Sequence, residues 1–321
     1  MRRRDLLALA LAPAPPPIRV GFLGQEHSHF AGKLKVIKES PAYQLIGVTG
    51  HDDPALLDDP AVQLIIVECP IDIAIAQGRK VIAAGRHLHL EKPPGDKLPP
   101  FRDLVEQARR KNLRLQTGYV WRWHAGITAA LDAARRGWLG DVFMVRATMN
   151  ADRSPAQRLA EARFPGGAMF ELGGHMVDRV IDLLGRPKSV KPFLRHYSNI
   201  ADNLADNTVA VLEFDRALAV LTVSDRMAGS GAHRSFEVLG EDGSFVIHPE
   251  RNPPTMSVHL RKAAGPYRAG WQDITLPPQP RFVGDFAEMA RSLQTNTPLS
   301  PSYDHEILLQ ETLLRASGEL L

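Results

Sequence analysis

Glu171 and His175 stand four residues apart in the stretch Gly166 to Asp178, where a glycine turn feeds a segment of helical apolar spacing. On a helix that separation puts both side chains on one face. Far upstream, Glu91-Lys92-Pro93 closes an apolar run, so a lysine, a histidine and a carboxylate could meet in one cleft. Such a set transfers protons: a lysine whose pKa is lowered in a cleft can take a proton from a substrate hydroxyl. Two plainer readings stand beside this one. Lys92 also reads as a solvated lysine in a Pro-Pro-Gly loop. Glu171 and His175 also read as a solvent-facing stripe continued by Asp178 and Asp182, with Leu172, Met176 and Val180 on the core side. Gly173 and Gly174 favour a site, because they let a ligand or another chain segment come close.

The elements that must position these groups follow from periodicity. Ile18 to Gly24 reads as a strand, and Phe30, Leu34 and Ile37 mark a helix stopped by Ser40-Pro41. Further strands are expected at Tyr43 to Val48, Leu64 to Val67, His87 to Leu90 and Leu113 to Tyr119. Helices are expected at Ile71 to Ala84 and around Phe101, Leu104, Val105 and Ala108. This alternation predicts an α/β unit, a Rossmann-like doubly wound parallel sheet, with Lys92 at its carboxyl edge. The second half pairs Val209–Phe214 with Leu218–Val223 and Phe236–Leu239 with Phe245–His248, which reads as hairpins in a large, mostly antiparallel open sheet. Helices at Phe282–Leu293 and Glu306–Leu314 close the chain. The expected organisation is a Rossmann-like domain over 18–119 and an α+β domain over 120–321.

With 321 residues, 44% of them hydrophobic, the chain can bury two cores. No apolar run approaches the roughly 20 residues of a spanning helix, so membrane insertion is not expected. The formal charge of +3 owes much to Arg2, Arg3 and Arg4, and nucleic acid is not implied as a partner. Cys69, the single cysteine, rules out an internal disulfide and a thiolate metal cluster. Residues 1–17, with Arg3-Arg4-Asp5-Leu6-Leu7 before an Ala-Leu stretch and a proline run, resemble a twin-arginine export signal. A periplasmic location is the expectation that follows, with the cytoplasm as the alternative.

Dinucleotide folds receive a pyrophosphate on glycine amides at the first helix N-terminus. Gly21 and Gly24 are present here, but Glu26 and His29 occupy the two later glycine positions counted from Gly24. Gly50 stands where a ribose-binding acid is usual, and Asp52 is either a substitute or part of a surface turn. Only the thirteen residues from His51 to Gln63 separate the second strand from the next, too few for a helix, a strand and their loops. The usual third strand is therefore expected to be missing and the adenosine half of the pocket truncated or rebuilt. His27, His29 and His51 have the look of metal ligands, but without a carboxylate or thiolate partner they read as polar residues at a helix start, and no metal site is expected. His87 and His89 share one strand face.

In order along the chain, these motifs resemble the glucose-fructose oxidoreductase, inositol dehydrogenase and rhizopine catabolism family, Gfo/Idh/MocA. The motifs that carry the resemblance are Glu91-Lys92-Pro93, the run Tyr119 to His124, Gly137-Trp138-Leu139-Gly140, the block Pro165 to Asp178 and the closing helix from Tyr303. The resemblance implies Lys92, His175 and Glu171 as catalytic groups, with Glu171 where Asp is usual. It implies NAD or NADP as cofactor, touched by Gly21, Gly24, Glu26, Pro70, Glu91 and Lys92. Arg122, His124 and Asp178 would face the substrate, although Arg122 also reads as a domain-hinge salt bridge. The implied substrate is a sugar, polyol or related hydroxy compound, and the implied assembly a homodimer or tetramer through the second-domain sheet. Two other functions compete with hydride transfer. One is a non-catalytic family member that binds a sugar or a protein with a degenerate cofactor pocket, and the other is an NAD-using glycosidase of related fold.

Overall fold

The computed structural model describes residues 15–319. The arginines and the Ala-Leu stretch of the export-like signal lie outside the described residues. The first unit runs β1 (Ile18–Leu23), α1 (Phe30–Glu39), β2 (Tyr43–Thr49), α2 (Ala55–Asp58), β3 (Leu64–Val67), α3 (Ile71–Ala83), β4 (His87–Leu90), α4 (Leu98–Arg110) and β5 (Leu115–Thr117). Its strands form a five-stranded parallel sheet in the order β2-β1-β3-β4-β5. The central strand β3, Leu-Ile-Ile-Val, is hydrophobic throughout with every residue buried, because both faces are covered. β2 is the edge strand, and the single turn of α2 is all that stands between β2 and β3. The third strand of a full dinucleotide fold is thus absent from this sheet, as the short spacing predicts.

The second unit follows a 3₁₀ turn at Val120–Trp123 and contains α5 (Ala125–Arg135), β6 (Val142–Thr148), α6 (Pro155–Ala162), α7 (Ala168–Leu184), β7 (Ser189–Arg195), β8 (Asn207–Glu213), β9 (Leu218–Ser224), β10 (Ser235–Gly240), β11 (Gly243–His248), β12 (Thr255–Leu260) and β13 (Gly270–Thr275). Its eight strands take the order β13-β12-β11-β10-β6-β9-β8-β7, antiparallel except for the β6·β9 pair. Alternation along β8 and β9 buries Thr208, Ala210, Leu212, Ala219, Leu221 and Val223 under α7. The opposite face is half-exposed, with Phe193 and Trp271 the largest exposed side chains on its outer strands.

Two closing helices, α8 (Val283–Thr295) and α9 (Tyr303–Ala316), tie the units together. Phe282, Phe286 and Met289 pack with Ile18, Val20, Phe22 and Ile66, so α8 covers one face of the first sheet. Replacing the fully buried Phe286 by alanine would cost about 3–5 kcal/mol at this seam. At the head of α7, Gly166 and Gly167 both have positive φ, +75° and +46°. A Cβ on Gly166 would lie 2.4 Å from Ser317 Cβ, so only glycine lets the turn pass the end of α9.

Candidate active site

β4 ends at Leu90, and the next two residues turn toward the domain junction. Lys92 is 2% exposed, and its Nζ donates to Glu171 Oε1 at 2.8 Å and to the Glu171 carbonyl at 3.2 Å. One turn further along α7 lies His175, 4% exposed and packed edge-on against the Tyr119 ring at 5.4 Å. Gly174 makes this possible, since a Cβ there would sit 2.4 Å from Tyr119 Cε1. The close approach expected at the helix glycines is therefore made by a chain segment. Burial, reinforced by the Lys92 charge, holds the His175 imidazolium pKa well below its ordinary value, and its Nδ1 is buried with no partner. At neutral pH His175 is a neutral imidazole able to accept or pass a proton. The plainer reading of this stripe as solvent-facing fails, because α7 buries His175 and Asp178 alike.

Behind Lys92 lies a second charged cluster that sequence reasoning missed. Lys33, on α1 and fully buried, donates to Glu68 Oε1 at 2.6 Å and to Glu91 Oε2. His29 Nδ1 lies 3.1 Å from Glu91 Oε1, which also accepts the Lys92 amide at 2.9 Å. Burial alone would raise the Glu91 pKa, but the Lys33 ammonium and the two nearby histidines outweigh it and hold the carboxyl well below the usual range. Burial dominates at Glu68, pushing it up to about 7, and at His27, lowering it to about 4. A signal for Lys33 existed: it falls on the apolar stripe of α1, three residues after Phe30 and four before Ile37. Glu68 and Glu91 each follow the last pair of neighbouring strands, Val67 and Leu90, which only the sheet register reveals.

The residues expected at the cofactor part company. Gly21 lies inside β1, where a Cβ would meet Leu56 Cδ1 at 2.7 Å, so it serves packing. Gly24 keeps the positive φ of a phosphate turn, +81°, but Glu26 folds back over it, accepting the Gln25 amide at 2.8 Å and pairing with His51 Nδ1 at 2.7 Å. The amides of Glu26 and His27 are spent on the Glu68 carbonyl, at 3.0 and 3.2 Å. Pro70 begins α3 at the β3 edge. Gly50 has open space around it, and Asp52 is an exposed partner of His51.

The substrate candidates need correction. Arg122 and Asp178 are buried against each other at 2.9 Å, and Arg122 also binds Glu306 at 2.7 Å, while Asp178 takes Arg179 and His305. Every polar group of this cluster is turned to its neighbours, so Arg122 and Asp178 lock the domain hinge and do not face a substrate. His124 caps α5 through Nδ1 and leaves Nε2 buried without a partner. It lines a cavity of 530 Å³ together with Trp121, Trp123, Arg251, Arg281 and Phe282. Lys92, Glu171 and His175 are not among its walls; Trp121, packed on His175 at 6.5 Å, is the link. One more missed pair lies beyond Glu171: burial raises Glu161 on α6 to about 9, and the neighbouring Asp225 carboxyl raises it further.

A parallel sheet with an acid–base cluster at its carboxyl edge, closed by a large open sheet, defines a Rossmann-like two-domain fold. Residues 127–246 match the GFO/IDH/MocA C-terminal domain. The chain is 28% identical over 217 residues to the oxidoreductase YhhX of Escherichia coli and 25% identical over 198 residues to the Bacillus subtilis scyllo-inositol 2-dehydrogenase (NADP(+)) IolW. These alignments cover 68% and 61% of this chain but only 61% and 54% of those relatives. The solved structure of levoglucosan dehydrogenase in complex with NADH and levoglucosan shares the fold, with a TM-score of 0.79 at 16% identity over 94% of this chain and 97% of that one. Over residues 127–246 the chain is thus similar to the C-terminal domain of the Gfo/Idh/MocA proteins.

Proposed function

We propose that this protein is an NAD(P)-dependent oxidoreductase acting on the CH–OH group of a sugar, polyol or related hydroxy compound. The observation that carries this reading is the Lys92–Glu171 pair set one helical turn from an unpartnered, neutral His175. The activities named for the inositol and levoglucosan enzymes agree with it. A bound nicotinamide supplies the hydride donor or acceptor. This chain's residues handle the proton: Lys92 exchanges it with the substrate oxygen, Glu171 holds the ammonium, and His175 passes it on. The cavity behind Trp121 is walled by indole rings suited to the apolar faces of a sugar.

The residues present fit a dinucleotide at this catalytic end. At the turn they fit only with Glu26 swung aside, and its side chain, 40% exposed, has room to do so. The spent amides and the Glu26–His51 pair favour a second reading, a non-catalytic member that binds a sugar alone. Calorimetric titration with NAD, NADH, NADP and NADPH separates the two. Binding followed by turnover in a sugar and polyol screen supports the oxidoreductase, and folded protein that binds none of the four overturns it.

The half-exposed face of the eight-stranded sheet, with Phe193, Val209, Val211 and Val220 on adjacent strands, supports association of two or four copies, to be checked by light scattering. The twin-arginine-like start supports export of the folded protein, which cell fractionation tests.

A further inference from the structure

The strand ends behind Lys92 gather nitrogen and oxygen donors in an arrangement that proton transfer does not use. We propose that His27, His29, Glu91 and Glu68 form a binding site for a divalent transition metal of the zinc class. One ligand atom from each of His27, His29 and Glu91 lies within 4.8 Å of the others. Glu68 Oε2 supplies the independent sign: it is fully buried, has no hydrogen-bond partner, and lies 3.8 Å from His27 Nδ1.

The two carboxylates share their work in a way that leaves room for a cation. Lys33 takes Glu91 Oε2 and Glu68 Oε1. The remaining oxygens, Glu91 Oε1 and Glu68 Oε2, are left for the histidines, at 3.1 Å from His29 Nδ1 and 3.8 Å from His27 Nδ1. Zinc held at about 2.0–2.2 Å by four tetrahedral ligands sets those ligands roughly 3.3–3.6 Å apart. Two pairs, at 3.1 and 3.8 Å, fall on either side of that range, and the atoms of His27, His29 and Glu91 all lie within 4.8 Å of one another, so the side chains must draw together to complete the shell. Both carboxylates thus lean on a single buried ammonium, that of Lys33.

Binding has costs that belong in the account. His27 Nδ1 must give up the His29 amide, which it accepts at 3.2 Å, and Arg281 must leave His29 Nε2 for solvent, where most of its side chain can go. Sequence spacing alone gave the histidines no acidic partner; the parallel register of β3 and β4 supplies two. A metal here would place a Lewis acid next to Lys92, because Glu91 precedes it in the chain.

The test uses tag-free full-length protein, stripped with a chelator and titrated with zinc chloride by calorimetry. One equivalent per chain is expected, with affinity at least tenfold weaker in His27→Gln and in His29→Gln, and unchanged in His51→Gln, a neighbouring histidine outside the ligand set. Cobalt(II) in place of zinc should give the visible bands of a four- or five-coordinate nitrogen and oxygen site. No saturable binding by the folded wild-type protein overturns the proposal, as does binding that survives both ligand variants. Because nothing here reads turnover, the outcome is separate from that of the oxidoreductase reading.

Discussion

The Lys92 ammonium crosses from the first domain to the second and meets Glu171 twice, at its carboxylate and at its backbone carbonyl, 79 positions along the chain. Neither domain owns this pair, so its geometry depends on how the two units are seated. The extra methylene of glutamate over aspartate lets α7 stand further from the strand end and still reach the lysine.

Removal of the proton-handling groups is expected to lower kcat by about 10²- to 10⁴-fold in Lys92→Ala and in His175→Ala. Circular dichroism of both variants should stay that of the parent. Steady-state kinetics on whichever substrate the screen returns checks this, and a loss confined to KM would assign the two side chains to binding.

At the phosphate turn, Glu26→Gly takes away the carboxylate folded over Gly24. Affinity for NAD(P) should rise roughly tenfold, equivalent to about 1.4 kcal/mol. Calorimetry of variant against parent reads this directly, and equal affinities would show that the carboxylate already stands clear when nucleotide binds.

Arg122→Ala strips a buried guanidinium from between Asp178 and Glu306, leaving two carboxylates without their shared cation. A loss of about 3–5 kcal/mol in folding stability is expected. Urea unfolding measures it. A stable variant with altered substrate KM would return Arg122 to the substrate site.

Stability should also depend on pH through Glu161, whose folded pKa is raised from 4.5 to about 9 by burial and by Asp225. A raised acid pKa means that the folded state holds a proton the unfolded chain releases. The stabilising contribution is therefore full below pH 4.5 and is lost as pH climbs toward 9. Glu161→Gln, which stays neutral, should raise the thermal midpoint over the parent at pH 8 and change it little at pH 4.5. Equal shifts at both pH values would count against a buried neutral carboxyl.

Much of the fold was legible because it rests on local periodicity. β1, β3 and β4 read as apolar runs, the β8–β9 and β10–β11 hairpins as paired runs around turns, and the lost strand as a spacing too short to hold it. Lys92, Glu171 and His175 were legible because type and spacing coincide with a family pattern. Arg122 and Asp178 misled, since a charged residue beside a site looks alike whether it faces a substrate or a neighbour; only burial distinguishes them. Lys33 looked like any helix-surface lysine until its position on the apolar stripe was weighed. Glu161 and Asp225 gave no signal, because their meeting depends on where α6 lands after β9 is in place.

The return of α8 to the first sheet bears on how the chain is made. Tyr43, on the edge strand, donates its hydroxyl proton to the carbonyl of Phe286, 243 positions later, at 2.6 Å. During vectorial synthesis the amino-terminal sheet therefore waits, one face covered only by α1, until nearly all of the polypeptide has left the ribosome. Nascent chains stalled before Phe286 should be bound by chaperones and cut by proteases across β1 and β2, and only the released chain should resist both.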